Sequence, residues 1–77
     1  MKHARDDYNR IQDPSGKIPD DEPVFLLRSQ DPDAADTVRD YADRIEARGA
    51  DPRMVDVCRD WAATMDAWPT KKTVADM

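Results

Sequence analysis

Polar and aromatic side chains that could bind a ligand lie in two separate segments of the chain. In the first segment, Tyr8, Arg10 and Gln12 occupy alternate positions, so an extended backbone would place them on one side. In the second, Arg28 and Gln30 precede a predicted helix, whose N-terminus favours anionic groups. An aromatic ring, two guanidinium groups and amides suit a nucleotide-like ligand or the carboxylates of a partner protein. These five residues are therefore the candidate ligand- or partner-binding residues.

Arg28 also has a purely structural interpretation. Its guanidinium group could pair with Asp31 or with the C-terminus of a helix, since structural ion pairs are common in small domains. The sequence leaves both interpretations open.

The sequence lacks the residue sets that enzymes use for nucleophilic, metal-dependent or acid–base catalysis. A nucleophilic Cys58 would need a nearby base, yet the only histidine is His3 in the N-terminal segment, so we expect the thiol to fill core space. His3 has no second soft ligand nearby, and we expect it to lie with Asp6 and Asp7 in a solvated segment. The carboxylates of residues 20–22 lie beside prolines on a predicted exposed connector. We predict a protein that is not an enzyme and uses no metal or cofactor.

Composition limits the kind of protein further. The chain has 77 residues, a charged fraction of 38%, a formal net charge of −5 and one cysteine. A core of this size contributes only about 3–5 kcal/mol, and without disulfides the expected support is self-association into a dimer or higher oligomer. The acidic surface argues against direct nucleic-acid binding, and no apolar run is long enough to span a membrane. A lone thiol is typical of a reducing, cytoplasmic compartment.

The C-terminal half contains two similar helical units, offset by twenty residues. Asp31-Pro32 aligns with Asp51-Pro52, and both pairs match the preference for Asp at the N-cap and Pro at the first helical position. Apolar residues recur at helical spacing in each unit: Ala34, Val38, Tyr41 and Ile45 in the first, and Met54, Cys58, Trp61, Met65 and Trp68 in the second. Gly49 and Pro69 are typical helix-ending residues. The sequence therefore predicts an antiparallel hairpin of helices at about 32–48 and 52–68.

The predicted architecture is mainly α. Residues 1–23 form an extended arm punctuated by prolines, with a reverse turn at residues 13–16. Residues 24–68 form a short buried strand, at residues 24–28, and the helical hairpin; residues 69–77 form a flexible tail. The apolar stripe of the second helix is wider than one short helix can cover. We therefore predict that oligomerisation completes the fold, through an interface of Phe25, Trp61, Met65 and Trp68.

The segment from Lys17 to Asp31 resembles a signature found in small uncharacterised proteins of bacteriophages and prophages. That signature reads Ile-Pro-x-Asp-Glu-Pro-Val-Phe-Leu-Leu-Arg-x-Gln-Asp and is followed by two helices. The resemblance also includes Met1 to Arg5 and Tyr8 to Pro14, and so most of the chain. It implies a phage accessory protein in the cytoplasm of a bacterial host, where such proteins typically bind a host protein or an immune signalling nucleotide.

Three hypotheses follow for the function. The first is a non-enzymatic phage or prophage protein that binds a host factor stoichiometrically, for instance a component of antiviral defence whose basic nucleic-acid site it occupies. The second is a module that sequesters a small nucleotide-type signalling ligand at a subunit interface. The third is a structural or assembly adaptor without a ligand.

Overall fold

The computed structural model describes residues 1–8, 11 and 13–72, and it is mainly helical. In chain order the elements are β1 (Lys2–His3), a 3₁₀ turn (Asp6–Tyr8), β2 (Pro23–Val24), α1 (Ala34–Ala47) and α2 (Pro52–Asp66). Helices α1 and α2 pack together as a hairpin, preceded by an arm that holds a two-stranded sheet. The predicted fold class is therefore confirmed. Within the described residues, neither helix is long and apolar enough to cross a bilayer.

The two Asp-Pro pairs make the same local hydrogen bond, but only the second lies at the start of a helix. The Asp51 carboxylate accepts from the Arg53 backbone N–H at 2.9 Å, and Pro52 is the first residue of α2. The Asp31 carboxylate accepts from the Asp33 N–H at 2.8 Å, yet α1 begins only at Ala34, two residues later than predicted. Asp31 therefore closes a turn that precedes α1.

The end of α1 depends on Gly49. Its φ of 81° lies in the left-handed region that glycine adopts without strain. The Gly49 N–H donates to the carbonyl of Glu46, and the Ala50 N–H donates to that of Ile45, both at 3.0 Å. These two bonds form a Schellman motif, which reverses the chain toward α2.

The second helix ends at Asp66, two residues before the predicted end, and the chain beyond it returns to the start of the hairpin. The Lys71 ammonium group donates to the carbonyls of Met65 at 2.9 Å and Ser29 at 2.8 Å. The Lys72 backbone N–H donates to the Gln30 carbonyl at 2.7 Å. Lys71 and Lys72 of the predicted tail thus bind the segment before α1, while residues 73–77 lie outside the described part.

The core lies between the two helices and consists of small side chains. One cluster contains Ala34, Ala35, Ala62 and Met65, and a second contains Ala42, Val55 and Cys58. Cys58 fills core space, as predicted. The predicted stripes need a correction, because Tyr41 is 53% exposed and Trp61 62% exposed. The neighbouring alanines lie in the seam instead, since a narrow gap between helices accepts a methyl group but not an aromatic ring.

The arm pairs with the segment that precedes the hairpin. β1 and β2 are parallel, with Lys2 opposite Pro23 and His3 opposite Val24. The predicted buried strand at residues 24–28 is wrong, because β2 shares only Val24 with that segment. Phe25 is 74% exposed, and Leu27 packs on the helical core without belonging to the strand. The predicted reverse turn is present, since the Gly16 N–H donates to the Asp13 carbonyl at 3.1 Å.

The N-cap of α2 makes stability depend on pH. The pKa of Asp51 lies below its usual value because its carboxylate accepts hydrogen bonds from the side chain and backbone of Arg53. A carboxyl group whose pKa is lowered by folding stabilises the folded state above its unfolded pKa of about 3.9. That contribution disappears as the pH falls through the lower folded pKa.

We predict that Asp51→Asn, which keeps an accepting oxygen but no charge, lowers the free energy of unfolding at pH 7. The difference from wild type should shrink steadily as the pH falls from about 5 to 2, where the wild-type carboxylate becomes protonated. Urea denaturation across this pH range measures it. A difference that stays constant with pH would show that the Asp51 charge contributes nothing to folding.

Candidate functional site

A cavity of about 590 Å³ lies between the arm and the segment that follows β2, and we name it the arm pocket. It is lined by Asp7, Tyr8, Ile11, Leu26 and Arg28. The pairing of β1 with β2 sets these two distant segments side by side. The arm pocket is therefore a direct consequence of how the arm folds back on the chain.

The ring of Tyr8 is held in place from two sides. The Arg5 guanidinium lies over it, 4.7 Å from the ring centroid, in cation–π geometry. The His3 ring meets it edge-on, with centroids 6.4 Å apart and planes at 85°. These contacts keep the Tyr8 ring in a fixed orientation beside the pocket.

His3 anchors the arm rather than lying in solvent, which corrects the expectation of a solvated segment. It is only 6% exposed, and its Nε2 lies 2.9 Å from the Ile11 carbonyl oxygen. Because a carbonyl oxygen can only accept, Nε2 must carry the proton. The buried imidazole of His3 in β1 therefore contacts both Tyr8 and Ile11, two residues that line the pocket.

Of the two charged residues that line the arm pocket, Asp7 is ion-paired within the chain and Arg28 is not paired with any described residue. Arg5 binds the Asp7 carboxylate in a bidentate ion pair, with distances of 3.1 Å and 2.7 Å, and this contact raises the pKa of Arg5. Arg28 forms no ion pair with any residue in the described part of the chain. In particular it does not pair with Asp31, whose backbone N–H instead donates to the Arg28 carbonyl at 2.9 Å. The pocket therefore presents one positive charge that no described carboxylate neutralises.

The structure brings together some of the predicted binding residues and separates others. Tyr8 and Arg28 line the same pocket although twenty residues separate them. Gln30 is not a lining residue, and its carbonyl accepts the bond from Lys72. Arg10 and Gln12 lie outside the described residues. Leu26 was missed, although its position two residues before Arg28 on an extended segment indicates the same side of the chain.

A second surface consists of exposed apolar side chains on the hairpin, and we name it the aromatic face. Its members are about half exposed or more: Tyr41, Met54, Val57, Trp61 and Trp68. Two of them, Trp61 and Trp68, belong to the predicted interface. Met65 does not share the surface, because it is 4% exposed and packs in the core of its own chain. Phe25, also predicted to lie in the interface, is exposed on the segment after β2 rather than on the hairpin.

Among residues 1–8, 11 and 13–72, no group of three or more histidine, cysteine, aspartate or glutamate side chains could hold a metal ion. The thiol of Cys58 is buried between the helices, where it packs with Ala42 and Val55. The arm pocket and the aromatic face are therefore the two surfaces on which a functional proposal can be based.

Comparisons of the chain with protein-family models, with curated proteins and with solved structures gave no match.

We predict that His3→Ala loosens the arm without unfolding the hairpin, because the imidazole joins the arm together while the helical core is separate from it. Hydrogen exchange of the Lys2 and Tyr8 backbone N–H groups should become at least about tenfold faster, with helical N–H groups unchanged. Lys2→Ala, at the exposed neighbouring position, is the matched control. Unchanged exchange in His3→Ala would contradict the anchoring role.

Proposed function

We propose that this protein acts by stoichiometric binding rather than by catalysis, and that the arm pocket binds an anionic group of its partner. The observation that carries the proposal is the position of Arg28, whose guanidinium has no described ion-pair partner and borders a cavity with Tyr8 and Leu26. An arginine in such a place binds carboxylate or phosphate oxygens in pairs.

The other lining groups define what should surround the anionic group. Ile11 and Leu26 offer apolar surface, and Tyr8 offers an aromatic ring stiffened by Arg5. Asp7 adds little net repulsion, because Arg5 already binds both of its oxygens. The complementary ligand therefore combines one negative group with an apolar or aromatic body.

The first candidate partner is a protein of a bacterial host. Its support is the resemblance of the segment from Lys17 to Asp31 to phage and prophage proteins, since that segment supplies both Leu26 and Arg28 to the pocket. A host protein that presents a carboxylate beside an apolar side chain would match the pocket. Inhibition of an antiviral defence factor is the biological role that we propose for such binding.

The second candidate partner is a small nucleotide-type ligand. Its support is the cavity volume of about 590 Å³, which lies within the range of small-molecule sites, about 300–1,000 Å³. A phosphate would lie against Arg28 and a base against Tyr8, as in sites that stack a base on an aromatic ring.

We predict that immobilised wild-type protein captures a specific host protein from bacterial lysate, at one partner per chain by native mass spectrometry, and that Arg28→Ala loses it. Arg44→Ala is the matched control, since Arg44 is an exposed arginine of α1 without an ion pair in the described residues. Binding of the identified, purified partner should weaken at least about tenfold in Arg28→Ala and remain unchanged in Arg44→Ala. Equal weakening in both variants would indicate only a general charge effect and contradict the proposal.

Titration of the protein with adenosine monophosphate separates the two candidates. Saturable NMR shifts at Tyr8 and Leu26 that vanish in Arg28→Ala would favour the small ligand over the host protein. If binding of the nucleotide and binding of every captured host protein are both unchanged in Arg28→Ala, the arm pocket is not the binding site.

A further inference from the structure

The two helical units, which are similar in sequence at an offset of twenty residues, also make equivalent contacts in the hairpin. In one core cluster, Ala35 of α1 packs with Ala62 and Met65 of α2. The residues at the equivalent positions of the opposite helices are Val55 of α2 and Ala42 and Ile45 of α1. These three pack together in the other cluster. The ion pair of Arg39 with Asp66 likewise corresponds to that of Arg59 with Glu46. A two-fold axis through the middle of the hairpin relates α1 to α2, so equivalent residues lie on the same side.

One side of the hairpin is polar, and its two arginines are paired with carboxylates of the same chain. Arg59 binds Asp43 at 2.9 Å and Glu46 at 3.1 Å, across the gap between the helices. Arg39 makes the equivalent bridge to Asp66. The contact with Arg59 holds the pKa of Glu46 below its usual value. Both arginines of this side, Arg39 and Arg59, are thus paired within the chain.

The opposite side carries the aromatic face. With about 3.6 residues per turn, Tyr41 and Trp61 lie across the helix from the ion-paired positions, and they are equivalent under the pseudosymmetry. Their helical neighbours on this side are uncharged over most of its length: Thr37 in α1, and Met54, Val57 and Thr64 in α2. Charged residues of α1 reach this side only near its end, at Arg44 and Arg48.

The chain covers one end of this side and leaves the equivalent end open. At the start of α1, Ala34 is fully buried in the cluster on which Leu27 of the preceding segment packs. The equivalent residue at the start of α2 is Met54, which is 49% exposed. The open region extends from Met54 to Tyr41 and Trp61, which are 49%, 53% and 62% exposed.

We propose that a second copy of this chain docks on the aromatic face, so that two hairpins pair about a two-fold axis and form a four-helix bundle. Self-pairing requires a surface that is complementary to itself, and a pseudosymmetric face that is uncharged except at the end with Arg44 and Arg48 meets this requirement. An acidic partner would find only Arg44 and Arg48, at one end of the face, to pair with. The proposal is independent of the arm pocket.

The size of the face fits a dimer. Aromatic side chains bury about 150–250 Å² each when fully covered. Tyr41, Trp61 and Trp68 are each more than half exposed, and Met54 and Val57 add smaller areas. Two copies would together bury on the order of 1,000 Å², which is the lower limit for a specific interface. This additional buried area would strengthen a small core, because the buried apolar side chains among the described residues are mostly alanines, apart from Val55, Cys58 and Met65.

Sedimentation equilibrium of wild type, Trp61→Glu and Ala63→Glu tests the pairing. Both substituted positions are exposed in α2, but Ala63 lies on the ion-paired side, so its variant controls for the added charge. Wild type and Ala63→Glu should show twice the chain mass of 8.8 kDa at tens of micromolar. In Trp61→Glu the dimer dissociation constant should rise at least about 100-fold, since the substitution removes a central aromatic contact from both chains.

Circular dichroism of Trp61→Glu should show the wild-type helical content, because the indole does not belong to the core of its own chain. A wild-type protein that stays monomeric up to about 1 mM would overturn the proposal. So would a trimer or larger assembly, or equal dissociation of the Trp61→Glu and Ala63→Glu variants.

Discussion

The packing of α1 against α2 depends on small side chains along the seam between them. Ala42 packs against Val55 and Cys58 of the other helix, and Ala62 packs against Ala35; both central alanines are fully buried. Helices of 14 and 15 residues have marginal stability by themselves. Their stability must therefore come from close contact, and the seam permits that contact because methyl groups allow the backbones to approach.

The narrow seam also determines which side chains remain exposed on the two sides of the hairpin. Side chains flanking it on one side are long and charged, and they reach across as exposed ion pairs, which contribute little to stability. Side chains flanking it on the other side are aromatic and too large to enter, so Tyr41 and Trp61 remain outside. The arm makes a separate contribution, because its parallel pairing with residues 23 and 24 creates the pocket of Tyr8 and Arg28.

Local patterns were sufficient to predict the helices, whereas contacts between distant segments were not. Asp51-Pro52 and Gly49 act within a few residues of their own position, and their effect on helix ends is visible in sequence.

Periodicity could not decide whether Tyr41 or Ala42 lies in the seam, because both fit an apolar stripe and the choice depends on the distance between helices. The identity of Ala42 and Ala62 in the two units was the available signal. Burial of His3 had no local signal, since His3 pairs with Val24, a residue far from it in the sequence. The chemistry of Tyr8 and Arg28 indicated binding residues, but their meeting in one cavity depends on that same pairing.

The free energy of unfolding of Ala62→Leu, compared with Ala63→Leu, tests the seam most directly. The two substitutions add the same side chain at adjacent positions of α2, one fully buried and one exposed. If close contact at Ala62 holds the hairpin together, Ala62→Leu should lower the free energy of unfolding by about 1–3 kcal/mol. Ala63→Leu should change it by less than about 0.5 kcal/mol. A hairpin that accepts leucine at position 62 with equal or greater stability would show that the helices are not held together by close packing at this seam.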